Sequence, residues 1–164
     1  MAQVDVAPSA KPLGVGTLIS AVQSASDLQL AYSAFRITLG MNIFFHGAMR
    51  LITGLDAWAV MESQLFVKQP LLPMWSVSLF LHVLPFVEVT LGVLTFLGLF
   101  TRWALIAGSI MILLLVFGND VRQDWNTVGN NMHYVLYYAG LIAALRYNAF
   151  ALDTRKMGEA RSPK

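Results

Sequence analysis

The sequence predicts an all-α integral membrane protein: a four-helix bundle with an interfacial or re-entrant helix between its first and second spans. Three observations carry that prediction. Hydrophobic residues make up 57% of the 164-residue chain and charged residues 12%, against roughly 25% charged in a soluble domain. The mean hydropathy is +0.62. Four long apolar runs then recur along the chain, and a span needs roughly 20 apolar residues.

Composition also excludes several function classes. The chain has no cysteine. Disulfides, thiolate metal sites, iron–sulfur clusters and covalent haem attachment are therefore ruled out. It has three histidines, so no haem, iron–sulfur or metal centre is expected on this chain. The net charge of +2 is small and its basic excess lies in the C-terminal tail, so no nucleic-acid partner is expected. The length fits one domain.

Residues 1–27 read as a cytoplasmic N-terminal tail. MAQVDVAPSAKPLGVG carries Asp5 early and no long apolar core, unlike a secretory signal. TLISAVQSAS, residues 17–26, reads as a short interfacial helix. The transmembrane domain follows over residues 28–147. Its runs are residues 28–52, 75–100, 103–118 and 128–147. Between the first two lies TGLDAWAVMESQLFVKQPLLP, residues 53–73. Leu55, Trp58, Met61, Leu65 and Phe66 recur there at helical spacing, with Asp56, Glu62, Gln64 and Lys68 largely elsewhere. That pattern predicts a helix lying in or dipping into the interface, ended by Pro70 and Pro73. NDVRQDWNT, residues 119–127, is a polar loop. Residues 148–164 read as a basic cytoplasmic tail.

An even number of spans puts both termini on one side. With the N-terminus inside, seven basic residues (Lys11, Arg102, Arg146, Arg155, Lys156, Arg161, Lys164) are cytoplasmic and three (Arg50, Lys68, Arg122) are outside. The positive-inside rule favours that orientation. Trp58, Trp75 and Trp125 then mark the outer interface, and Trp103 and Tyr147 the inner one.

Ionisable groups within spans are costly and face the protein interior. Here they are Arg36, His46, Arg50, His82, Glu88 and His133. At about 100° per residue, Arg50 lies roughly 40° and His46 roughly 80° around from Arg36, so the three share one broad face. Gly40, Gly47 and Gly54 follow nearly the same stripe, where small residues let a neighbouring helix approach. Pro85 removes the hydrogen bond to the Leu81 carbonyl and is expected to kink the second span. Three residues on, Glu88 lies within long side-chain reach of Arg36, and Arg36–Glu88 is the expected buried ion pair. It reads as a structural lock before it reads as a proton relay. His46 with Arg50 stays open between interface anchoring and ligand contact. His82, and Tyr134, Tyr137 and Tyr138, read first as packing. Gly140 with Ala144 reads as a helix-packing pair. Together, His46, Arg50, His133 and the tyrosines predict a basic, aromatic-lined pocket in the outer half. A quinone head group suits such a pocket, because its carbonyls accept hydrogen bonds and its ring stacks on aromatics.

The order of short motifs resembles the DoxX/DoxD-like family, which includes the small subunit of thiosulfate:quinone oxidoreductase. The matching residues are Arg36 and Gly40, Phe44-Phe45-His46-Gly47, Pro85-x-x-Glu88-x-x-x-Gly92, Leu97-Gly98-Leu99-Phe100-Thr101-Arg102, and His133-Tyr134. The resemblance covers residues 28–147. It implies a membrane subunit of a quinone-linked redox complex in a bacterial or archaeal inner membrane, partnered by the lipid bilayer and by other membrane or outer-face redox subunits. The cofactor-binding candidates are His46, Arg50, Glu88, His133 and Tyr137. If the chain takes part in catalysis, it does so within a quinone-dependent oxidoreductase and not alone. The competing reading is a non-catalytic accessory or anchoring subunit of a larger electron-transfer assembly. A transporter is the weaker reading, since no internal repeat and no matched pair of broken helices is visible.

Overall fold

The structure is a computed structural model and describes residues 15–154. The expected N-terminal tail of residues 1–14 and the tail beyond residue 154 lie outside the described residues. Those described form five α-helices and one 3-10 turn, with no strand among them.

Helix α1, Val15–Ser24, falls where a short interfacial helix was expected. Ser26 then starts α2, Asp27–Gln64, through a capping box. The Gln29 backbone N–H donates to the Ser26 hydroxyl at 3.3 Å, and the Ser26 N–H donates to the Gln29 side-chain oxygen at 2.9 Å. These bonds satisfy two of the donors that a helix start leaves orphaned.

Helix α2 has 38 residues, about 57 Å at 1.5 Å per residue, almost twice the thickness of a bilayer core. It does not run straight. Gly54 takes φ 118°, ψ 95°, a conformation that glycine reaches without a Cβ penalty. The expected first span and the expected interfacial helix are thus one helix broken at Gly54, with a limb over residues 27–53 and an arm over 55–64. The arm folds against the start of α3, Met74–Leu97. Ala59 and Phe66 bury themselves with Val77 and Leu81.

Pro85 lies inside α3 without ending it. Gly98 closes the helix in the left-handed region (φ 66°), its N–H bonding to the Leu94 and Thr95 carbonyls. After Phe100, α4 runs Thr101–Val121. Asp124 caps α5, Trp125–Ala143, and Leu145–Tyr147 forms the 3-10 turn. Helices α3 and α4 are long and apolar enough to cross a membrane.

The four long helices share one core. Tyr32, Leu39 and Ile43 from α2 meet Leu84 and Leu91 from α3, Leu105, Met111 and Ile112 from α4, and Tyr138 and Leu141 from α5. Close approach of α2 and α3 depends on glycine. A Cβ on Gly40 would fall 2.7 Å from the Phe96 Cα, and one on Gly92 would fall 2.6 Å from the Phe44 Cα. Gly140, expected at a packing face, meets nothing within 4 Å. It lies on the outward side of α5, so among the described residues it packs nothing.

The predicted Arg36–Glu88 pair does not form. Arg36 is 1% exposed and lies at the other end of the assembly. Its Nη1 donates to the carbonyls of Thr95 (2.5 Å) and Phe96 (2.8 Å), and its Nη2 to the carbonyl of Phe150 (2.6 Å). The physical reason is the helix terminus. The last turn of α3 presents carbonyls with lone pairs to spare at its negative end, and a guanidinium reaches several at once.

That end is closed further by residues 148–154, read from sequence as the start of a basic cytoplasmic tail. The Asp153 carboxylate accepts from the Phe100 N–H (2.9 Å), the Thr101 N–H (2.7 Å) and the Thr101 hydroxyl (2.9 Å). It caps α4 from 52 residues downstream. Asn148 donates to the same hydroxyl at 3.1 Å.

Candidate functional site

With Arg36 engaged elsewhere, Glu88 finds a different cation. Glu88 is 3% exposed on α3. The Arg50 guanidinium on α2 donates to its carboxylate. Gly47, one turn before Arg50, makes this reach possible. A Cβ there would press on the Pro85 carbonyl and fall 2.9 Å from the Glu88 Cβ. The pairing thus rests on a small residue on α2 opposite Pro85 and Glu88 on α3.

Glu88 and Arg50 line a half-open cavity of about 480 Å³ bordered by α2 with its arm, α3, α4 and the first turns of α5. Its walls are mostly apolar, with Leu81, Leu84, Ile112 and Phe66 among them. The arm supplies much of one wall. Trp58 lies under Arg50, with the guanidinium carbon 4.5 Å from the ring centroid. One turn further on, Glu62 lies 3.6 Å from Arg122. Arg122 also donates to Asp124 at 2.8 Å and lies over Phe66 at 5.6 Å. Its Nε is buried and has no partner.

His46 lines the same cavity and an adjoining open groove over the outer side of α2, which Arg50 also borders. Its ring meets Tyr134 edge-on at 6.5 Å. Tyr134 in turn donates to the Asn42 side chain at 3.0 Å, joining α5 to α2. His82 stands apart. Its Nε2 is 3.4 Å from Asp56, and its Nδ1 is 2.7 Å from the Ser78 carbonyl, so it braces the arm from α3.

At the turn before α5, the Asp124 carboxyl is held below its ordinary range. The Thr127 hydroxyl (2.7 Å) and the Thr127 backbone N–H (3.1 Å) donate to it, and the Arg122 guanidinium lies beside it. Each favours the charged form.

Of the five sequence candidates, His46, Arg50 and Glu88 come together at the cavity. His133 and Tyr137 do not line it. His133 is exposed, and Tyr137 packs edge-on against Phe35 and Tyr134. The sequence reading did not place Trp58, Glu62 or Arg122 at the site. Trp58 and Glu62 are i and i+4 on the arm, a spacing that puts both on one face. The signal that could have found them is Gly54, a hinge that turns this face back onto the bundle.

No curated protein and no solved structure matches the chain. The DoxX family model matches residues 31–119, which include Arg36, His46, Arg50 and Glu88 and stop short of Arg122, His133 and Tyr137. The match covers more than half of the sequence, and the chain belongs to the DoxX family, a family of membrane proteins.

Proposed function

We propose that this chain is a multi-pass, four-helix subunit of a quinone-linked redox complex in the inner membrane, with both termini cytoplasmic, and that its cavity receives a quinone head group. The observation that carries this reading is the Arg50–Glu88 pair at the wall of an otherwise apolar cavity. Ligand sites of this kind are mostly hydrophobic with a few convergent polar groups. The donor set fits the ligand. Arg50, Arg122 and His46 present N–H groups, and Trp58 and Phe66 add apolar ring surface to the lining. The charge balance also favours a neutral ligand over an anion, because Glu88 and Glu62 already compensate Arg50 and Arg122. A bound quinone supplies a two-electron, two-proton acceptor. The residues of this chain bind and orient it and exclude water, and the electrons come from a partner subunit that carries a redox centre.

The test is direct binding in nanodiscs with para-naphthoquinone as probe. Arg50→Gln and Glu88→Gln are expected to weaken binding about tenfold, the effect of a loss near 1.4 kcal/mol. Wild-type affinity in both variants overturns the reading.

A second reading is an anchoring subunit without a ligand. It is favoured by the Arg50–Glu88 pair being closed on itself, as a purely structural lock would be. Gently solubilised protein that carries other chains at fixed stoichiometry and no quinone would establish it.

A further inference from the structure

We propose that Arg122 is a second ligand-binding residue of the cavity, so that the site grips a planar, uncharged ring by a hydrogen-bond acceptor at each of two ends. The proposal rests on the quinone reading above and specifies which chemistry that reading requires.

Four observations lead to it. First, two arginines line the cavity and each is set in the same way. Arg50 lies over Trp58 and is paired with Glu88. Arg122 lies over Phe66 and is paired with Glu62. Second, the two are addressed by successive turns of one arm. Trp58 and Glu62 are four residues apart and share one face of it, and both guanidinium groups line the same cavity. Third, the Arg122 side chain lines the cavity, and its Nη1 stands 3.6 Å from Glu62, an ion pair longer than a hydrogen bond. A donor held at that distance can turn its hydrogen to a ligand carbonyl while the charge stays balanced. Fourth, each guanidinium is already balanced by carboxylates, and Asp124 adds a further one beside Arg122. An anion gains little there, whereas a neutral acceptor gains a charge-assisted hydrogen bond.

Arg122 lies beyond the stretch that the family model matches. It belongs to the turn between α4 and α5.

The experiment measures binding of para-naphthoquinone and of its one-carbonyl counterpart alpha-tetralone to nanodisc-embedded protein, with a melting curve for each variant. Wild type is expected to prefer the quinone by about tenfold. Arg122→Gln is expected to lose that preference and bind both rings alike. Arg122→Lys keeps a cation for Glu62 and Asp124 and is expected to melt near wild type, while the quinone preference stays reduced. If both variants retain the preference while Arg50→Gln weakens quinone binding, Arg122 is no ligand contact and the quinone reading survives. If Arg50→Gln and Glu88→Gln also bind as wild type does, or wild type binds neither ring, the quinone reading falls and this proposal falls with it.

Discussion

Arg50 on α2 donates to Glu88 on α3, and the two charges meet where Gly47 lets the helices close up around Pro85. Both side chains are at least three-quarters buried. Removing one partner of such a pair strands the other charge, whereas replacing both with apolar groups is often neutral. Arg50→Met alone is expected to cost roughly 3 kcal/mol of stability. Arg50→Met combined with Glu88→Leu is expected to recover most of that loss. Chemical denaturation in detergent of the two single variants and the double variant measures the coupling. Additive losses would show that the two residues do not support each other.

The close approach of α2 and α3 makes a second prediction. A methyl at Gly47 or Gly92 drives into the backbone of the facing helix. Overpacking of this kind costs about 1–3 kcal/mol, so Gly47→Ala and Gly92→Ala should each lower the melting temperature. Gly140→Ala is the control. Its Cβ meets nothing within 4 Å, and replacing a mid-helix glycine should stabilise by about 0.5–1 kcal/mol. Thermal melts of the three variants separate the effects by sign.

Arg36 holds three carbonyls with one guanidinium. Hydrogen bonds to a charged group contribute about 1.5–3 kcal/mol each, so Arg36→Met should cost at least about 3 kcal/mol. Arg36→Lys should restore less than half of that, because an ammonium lacks the planar fork that reaches both α3 and residue 150. Limited proteolysis near the C-terminus would report the release of residues 148–154. Intact protection in Arg36→Met would show that Asp153 alone holds that segment.

Asp124 predicts a pH dependence at the α4–α5 turn. Its folded-state pKa lies below the ordinary value of 3.8 because Thr127 and Arg122 favour the carboxylate. A depressed acid stabilises the fold above its unfolded value and loses that contribution as pH falls through the folded one. The melting temperature of Asp124→Ala should therefore fall short of wild type at neutral pH. The gap should close as pH drops below 3.8. Melts between pH 7 and pH 3 check this, and a gap that widens on acidification would reverse the sign.

Composition and hydropathy by themselves determined that this protein is helical and bound for a membrane, because long apolar runs and scarce charge leave little else. The helix ends rest on local chemistry that the sequence reading passed over: Ser26 with Gln29, Gly98 and Asp124 each act within a few residues of themselves. The face holding His46 and Arg50 and the position of Glu88 were legible, since periodicity fixes which residues share a side of a helix.

The partners were not legible. Depth along a span placed Arg36 within reach of Glu88, yet the end of α3 offered Arg36 the carbonyls of Thr95 and Phe96, which no spacing rule reveals. That cap draws in Phe150, 114 residues away. Glu88 was left to Arg50, which approaches because two glycine-lined helices pack closely. The cavity wall depended on a single backbone torsion at Gly54, which turns Trp58 and Glu62 from an interface towards the bundle. Sequence marked which residues are costly to leave in lipid, although His133 is exposed all the same. Tertiary structure decided which of them face one another, because that depends on helix packing and on one bend, and neither is a property of any local stretch of chain.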